Sequence, residues 1–191
     1  MISLYTLFWI TIFFFSLVGM LRGWTKEIVA TAGLVLSLFA QLWFGHHLVG
    51  MFARNSPDVM KTQFVVRSIM HIVFAFFAYQ GPTLVRQVTG GRLTERARGT
   101  VQEAILGFVV GAINGYLIVG GIWSFLENNI VDRMAIPYAP ATPYPFPVEI
   151  ITRPLTGPAM ALIASLPLPA LQSWLPLLLV VLFLFVLVAM I

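Results

Sequence analysis

Few residues of this chain could do chemistry. It holds three histidines, His46, His47 and His71, together with seven acidic and 11 basic residues and no cysteine. A zero cysteine count excludes disulfides, thiolate zinc sites, Cys-ligated iron–sulfur clusters and cysteine nucleophiles. Histidine is a common haem or pigment ligand in membrane helices, which makes His71 the candidate axial ligand. The competing and favoured reading is a hydrogen-bonded structural histidine, and no bound cofactor is expected. His46 and His47 fall near the end of an apolar stretch, where interfacial hydration accounts for them equally well.

Charges that enter or border apolar stretches are costly and tend to be paired. Two pairings are expected if the third and fourth apolar stretches form an antiparallel hairpin: Arg86 with Glu103 at one end, and Arg67 with Glu127 at the other. A proton relay through Glu103 and His71 is disfavoured because the hairpin puts them toward opposite ends. The sequence contains no G-x-S-x-G, no H-E-x-x-H, no phosphate-binding G-x-x-x-x-G-K-[ST] and no acidic cluster suited to a metal. An enzyme is therefore not expected, and neither is a metal centre.

The elements that must position these residues follow from composition. Of 191 residues, 59% are hydrophobic and 9% charged, against roughly 25% charged in a soluble domain. Mean hydropathy is +0.93. So little polar surface implies lipid as the main solvent. A helix crossing about 30 Å of hydrocarbon needs about 20 mostly apolar residues. Five intervals qualify: Ile2 to Leu21, Ile28 to Ala53, Ser68 to Val85, Ala104 to Leu126, and Ser173 to Ile191. The fold class is thus an all-α polytopic membrane protein, with four core transmembrane helices and a fifth, C-terminal one. The fifth, about 19 residues or roughly 28 Å long, barely spans, so an interfacial or re-entrant segment is the alternative to the favoured span. Pro176 is tolerable because it falls near the first turn. Ala30-Thr31-Ala32 has the form of a signal cleavage site, but no basic region precedes the first stretch, so that stretch is expected to remain as a helix.

The organisation is a four-helix domain over residues 1–127, a proline-rich extracytoplasmic segment over 128–172, and a terminal helix over 173–191. Pro137, Pro140, Pro143, Pro145 and Pro147 alternate with Tyr138, Tyr144 and Phe146, which predicts an extended, polyproline-like spacer. Basic residues orient the helices. Arg22, Lys26, Arg86, Arg92, Arg96 and Arg98 fall in the loops after the first and third helices, against Arg54, Lys61, Arg133 and Arg153, or five residues if Arg67 is added, on the other side. This bias places the N-terminus and the proline-rich segment outside. Spread in this way, the basic residues form no stripe for nucleic acid. The expected partners are the bilayer and other membrane proteins or further copies of the chain.

Glycine spacing supplies the most specific pattern. Gly107, Gly111 and Gly115 recur every four residues and fall on one slowly drifting helical stripe. Gly19 and Gly23 repeat the spacing, and Gly33 with Ser37 forms a small-xxx-small pair. Such stripes let helix backbones approach closely in lipid, so helix packing is the expected role, ahead of a permeation path lined by glycine.

Gly19, Arg22, Gly23 and Glu27 compose the form G-x-x-R-G-x-x-x-E at the first helical hairpin, which resembles the colicin V production protein family. Ile105-Leu106-Gly107 and Gly111-Ala112-Ile113-Asn114-Gly115 followed by Leu117-Ile118-Val119 look like that family's glycine-rich fourth helix, with Asn114 where members often carry Arg. The resemblance covers roughly residues 1–127. It implies a bacterial inner-membrane protein without a catalytic site, supporting toxin production or export and envelope physiology. The alternatives are an accessory subunit of a respiratory or photosynthetic membrane complex, perhaps the holder of a pigment through His71, and a small oligomeric channel or transporter.

Overall fold

A computed structural model describes residues 3–53, 56–88, 100–131, 134–138, 144–147, 150–151 and 156–190, with the side chains of all of these except 53, 82–88, 131, 189 and 190. The described elements are α1 (Leu4–Arg22), α2 (Trp24–Ala53), α3 (Val59–Val88), α4 (Val101–Glu127), the strands β1 (Asn128–Val131) and β2 (Met134–Pro137), and α5 (Gly157–Ile163), α6 (Pro167–Leu171) and α7 (Leu175–Met190).

Helix starts are set by local polar chemistry. Ser3 caps α1 by accepting from Thr6 N at 3.1 Å, Asp58 Oδ1 accepts from Lys61 N at 2.9 Å at the head of α3, and Thr100 accepts from Glu103 N at 3.3 Å at the head of α4. Each satisfies a backbone donor that a helix start leaves free. α1 stops at Gly23, whose φ of 84° lies in the left-handed region that a side chain disfavours. α2 begins at the next residue, so a single glycine reverses the chain.

α1 through α4 are long and apolar enough to cross a membrane. α3 runs well beyond the uncharged interval, from Val59 rather than Ser68, because Lys61 is exposed and Arg67 is accommodated inside the bundle. Despite the tight turn after α1, that helix lies mainly against α4, and α2 packs against α3, α4 and α7. The cause is steric. A Cβ on Gly107 would run into Gly19 O, one on Gly111 into Phe15 O, and one on Gly115 would sit 2.9 Å from Ile12 Cα. The α4 stripe is therefore covered by the backbone of α1, an approach open only to glycine. Gly33 faces Ala78 of α3 in the same way, with a built Cβ 2.5 Å from the alanine methyl.

Between α2, α3, α4 and α7 lies a core of Leu34, Leu38, Leu42, Leu117, Phe125, Leu168 and Leu175. Outward faces carry Phe13, Phe14, Phe76, Phe77 and Ile113, all exposed and apolar, as expected of surfaces turned to hydrocarbon. The described chain is a multi-pass membrane protein.

Beyond α4 one expectation is met and one needs correction. The expected apolar C-terminal helix is present, with 16 residues, roughly 24 Å at 1.5 Å each. It sets Leu175, Leu178, Leu179 and Leu182 against the bundle and leaves Leu177, Val181, Phe183, Leu184 and Val188 exposed. The proline-rich segment, by contrast, is not an extended spacer. β1 and β2 form an antiparallel hairpin with Ile130 opposite Ala135, and α5 and α6 fold back on the end of α4. Tyr116 Oη donates to Ser165 O at 2.5 Å, and Ala135 N donates to Gln172 Oε1 at 2.9 Å. Phe146 meets Phe64 edge-on with centroids 5.3 Å apart. Pro158 and Pro167 stand in the first turns of α5 and α6, where their missing N–H costs nothing. Residues 139–143, including Pro140 and Pro143, lie outside the described part.

Candidate functional site

Buried polar side chains are concentrated in the bundle where four helices meet, and they form layers. The first layer is at the end where α1 stops and α2 starts. Glu27, in the first turn of α2, is fully buried. Its Oε1 accepts from Arg22 Nη1 at 2.7 Å. Its Oε2 accepts from Asn114 Nδ2 at 2.7 Å and from Tyr79 Oη at 3.1 Å. Asn114 Nδ2 also reaches Glu27 O at 3.0 Å, and Thr31 Oγ1 bridges Glu27 O and Asn114 Oδ1 at 2.9 and 2.7 Å. Arg22 completes the group by donating from Nη2 to Tyr79 O at 3.0 Å, with its guanidinium carbon 4.3 Å from the centroid of the Tyr79 ring.

Each of the four long helices contributes one anchor: Arg22 from α1, Glu27 from α2, Tyr79 from α3 and Asn114 from α4. The electrostatics are favourable on three counts. The carboxylate has a guanidinium partner, its other oxygen is shared by two neutral donors, and it stands at a helix N-terminus, where the backbone dipole favours negative charge. Buried charges persist in an apolar setting only with this degree of satisfaction.

The second layer is His71, fully buried near the middle of α3. Nδ1 lies 2.7 Å from Ser37 Oγ of α2, and Nε2 lies 3.1 Å from Leu117 O of α4. A carbonyl oxygen only accepts, so in the neutral ring Nε2 carries the proton and Nδ1 accepts from the serine. Both ring nitrogens are thereby engaged, and the ring is wedged against Gly121, where a built Cβ would fall 2.8 Å from Nε2. Neither nitrogen is left to bind a metal or pigment, and the His71 axial-ligand reading is set aside. Ser37, expected to pack, instead supplies the hydroxyl for this contact.

One turn from His71 along α3 lies Arg67, 1% exposed. Gln41 Nε2 donates to its carbonyl oxygen at 2.9 Å, but Arg67 Nε and Nη1, Gln41 Oε1 and Ser68 Oγ have no hydrogen-bond partner among the described residues. The expected Arg67–Glu127 salt bridge does not form. Glu127 Oε1 instead accepts from Tyr144 Oη at 2.7 Å and Trp123 Nε1 at 3.2 Å. Tyr138 meets α3 through Gln63 Nε2, which donates to its hydroxyl at 2.8 Å. Among the described residues one ion pair forms, Arg22–Glu27. Glu103 sits in the first turn of α4, and the Arg86 side chain expected beside it lies outside the described part.

His46 and His47 stand at the far end of α2, exposed and with ring centroids 3.8 Å apart. The described residues contain no group of three side chains able to hold a metal.

Sequence reasoning singled out Arg22 and Glu27 by their motif but missed Thr31 and Tyr79. Thr31 carried a signal, since it follows Glu27 by four residues and shares its helical face. Tyr79 is 52 residues from Glu27 and carried none. Gln41 was missed as well, although a glutamine in an apolar stretch is itself an indication of a buried polar contact.

No curated protein and no solved structure matches the chain. The family model described as colicin V production protein matches residues 6–139, which takes in α1 to α4, the first hairpin and every anchor of the Glu27 cluster. With most of its length matched, the chain belongs to the colicin V production protein family.

Proposed function

We propose that this chain is a non-enzymatic bacterial inner-membrane factor that supports production or export of a colicin V-type toxin. In this reading the bundle is a rigid scaffold whose exposed apolar faces meet lipid and other membrane proteins or further copies of itself, with no role for nucleic acid. The N-terminus and the cap formed by the β-hairpin, α5 and α6 face outward, on the strength of the basic residues at the opposite end.

The observation that carries the reading is the Glu27 cluster. Its acidic and basic groups are saturated with partners from all four helices, an arrangement suited to fixing helix positions. A general acid or base would need a face open to substrate. Engagement of both His71 nitrogens weighs against a pigment-bearing accessory subunit.

The test is complementation. A toxin-producing strain deprived of its own family member should regain toxin activity in the culture supernatant when given this chain. Glu27→Leu, expressed to the same level in the membrane, should not restore it. Full toxin release without the family member would remove the proposed role.

A further inference from the structure

The four unpartnered buried polar atoms of the described residues belong to three side chains, Arg67, Gln41 and Ser68. Arg67 and Gln41 converge at one place: an ideal Cβ on Gly45 would lie 3.4 Å from Gln41 Oε1 and 3.8 Å from Arg67 Nε. Gln41 is held from its other end, because its amide donates to Arg67 O. Exchanging its oxygen and nitrogen would set two oxygens against each other, so Oε1 is fixed facing Gly45 and the guanidinium. A hydrogen bond from Arg67 Nε–H to that oxygen would still leave the Nη1 donors and a full positive charge without an acceptor among the described residues.

Such a charge cannot be left to water. Water would supply lone pairs, but the unit charge would remain in a low-dielectric interior, where an unpaired ion is strongly penalised. The described carboxylates do not serve either: Glu27 is used by Arg22, and none forms an ion pair with Arg67. What fits is an acceptor that also carries negative charge. With the residue 1% exposed, a lipid headgroup or a partner's side chain is too large to enter.

We propose that Arg67, flanked by Gln41 and the side-chain-free Gly45, is the cation of a buried site for a small inorganic monoanion of chloride size. The anion neutralises the guanidinium and accepts from Nη1, while Gln41 Oε1 takes Nε–H and fixes the plane of the fork. Guanidinium is suited to this because its donors are planar and its charge permanent. Gln41 and Gly45 belong to α2 and Arg67 to α3, so occupancy sets how these two helices pack in the half of the bundle away from the Glu27 cluster.

The experiment uses the full chain purified in mild detergent, melted in sodium chloride and in sodium gluconate at equal ionic strength. Gluconate is too large for the site. The unfolding midpoint should climb with the logarithm of chloride concentration and stay flat in gluconate, as for a ligand bound only by the folded state. Radiolabelled chloride should be retained by the native chain and lost on Arg67→Gln. Gln41→Leu keeps the charge but removes the flanking carbonyl, and should weaken retention several-fold even if Arg67→Gln does not fold. Equal midpoints in the two salts with no chloride retained by the native chain would overturn the proposal. Equal retention by the native chain and Arg67→Gln would overturn it too.

Discussion

The Glu27 and Arg67 layers put the same kind of group, a buried charge, into the same bundle under opposite conditions. At Glu27 the three other long helices each supply a partner, and both carboxylate oxygens are engaged. At Arg67 two guanidinium nitrogens have no hydrogen-bond partner among the described residues. The difference shows that burial alone does not reveal what a membrane charge is for. A saturated charge holds a structure together, and an unsaturated one costs stability that only a further binding partner can recover.

The largest expected effect comes from breaking the saturated layer. Glu27→Leu strands the Arg22 guanidinium, the Asn114 amide and the Tyr79 hydroxyl, and removing one partner of a buried ion pair costs about 3–5 kcal/mol. Thermal unfolding in detergent should show a large fall in midpoint. A fall no greater than that of an exposed substitution such as Phe76→Leu would break the comparison.

A smaller loss is expected from Gly111→Leu, which tests how α1 is brought to the cluster. The built Cβ already collides with Phe15 O, so α1 must move away and carry Arg22 with it. Overpacking costs about 1–3 kcal/mol. Phe108→Leu, on the same helix, should cost less in the same assay, and equal midpoints would mean that the α1–α4 contact does not position Arg22.

No loss at all is expected of Arg67→Met in chloride-free gluconate. Exchanging an unsatisfied buried charge for an apolar chain of similar length should leave the midpoint unchanged or raise it, because well-packed apolar replacements of buried ionic groups are neutral or stabilising by about 1–4 kcal/mol. A loss as large as that of Glu27→Leu would show that the two layers are alike after all.

Much of this was legible in the sequence, for physical reasons. Lipid solvent forces long apolar helices with few charges, and charge-free intervals therefore located α1 to α4. Regular glycines in lipid imply close backbone approach, which the α1–α4 contact displays. Three features were hidden. Arg67 looked like a helix boundary because hydropathy assigns every charge to water, whereas this one is buried. The prolines at 145 and 147 suggested an extended spacer, but folding there depends on Tyr144 and Phe146 reaching Glu127 and Phe64, contacts with no local trace. Asn114 stood out only as a departure from the family pattern, and its role emerged once α4 was seen to set it against Glu27.

The central claim is that Glu27 acts as a shared anchor between helices, and a double-mutant cycle tests it most directly. Glu27→Ala, Asn114→Ala and the double variant should be compared by unfolding in one detergent. Because Asn114 touches the Glu27 carboxylate and its carbonyl oxygen, the double variant should lose less than the two single losses together, with a coupling of about 0.5–3 kcal/mol. Strictly additive losses would contradict the account, since the two residues would then stabilise the bundle independently.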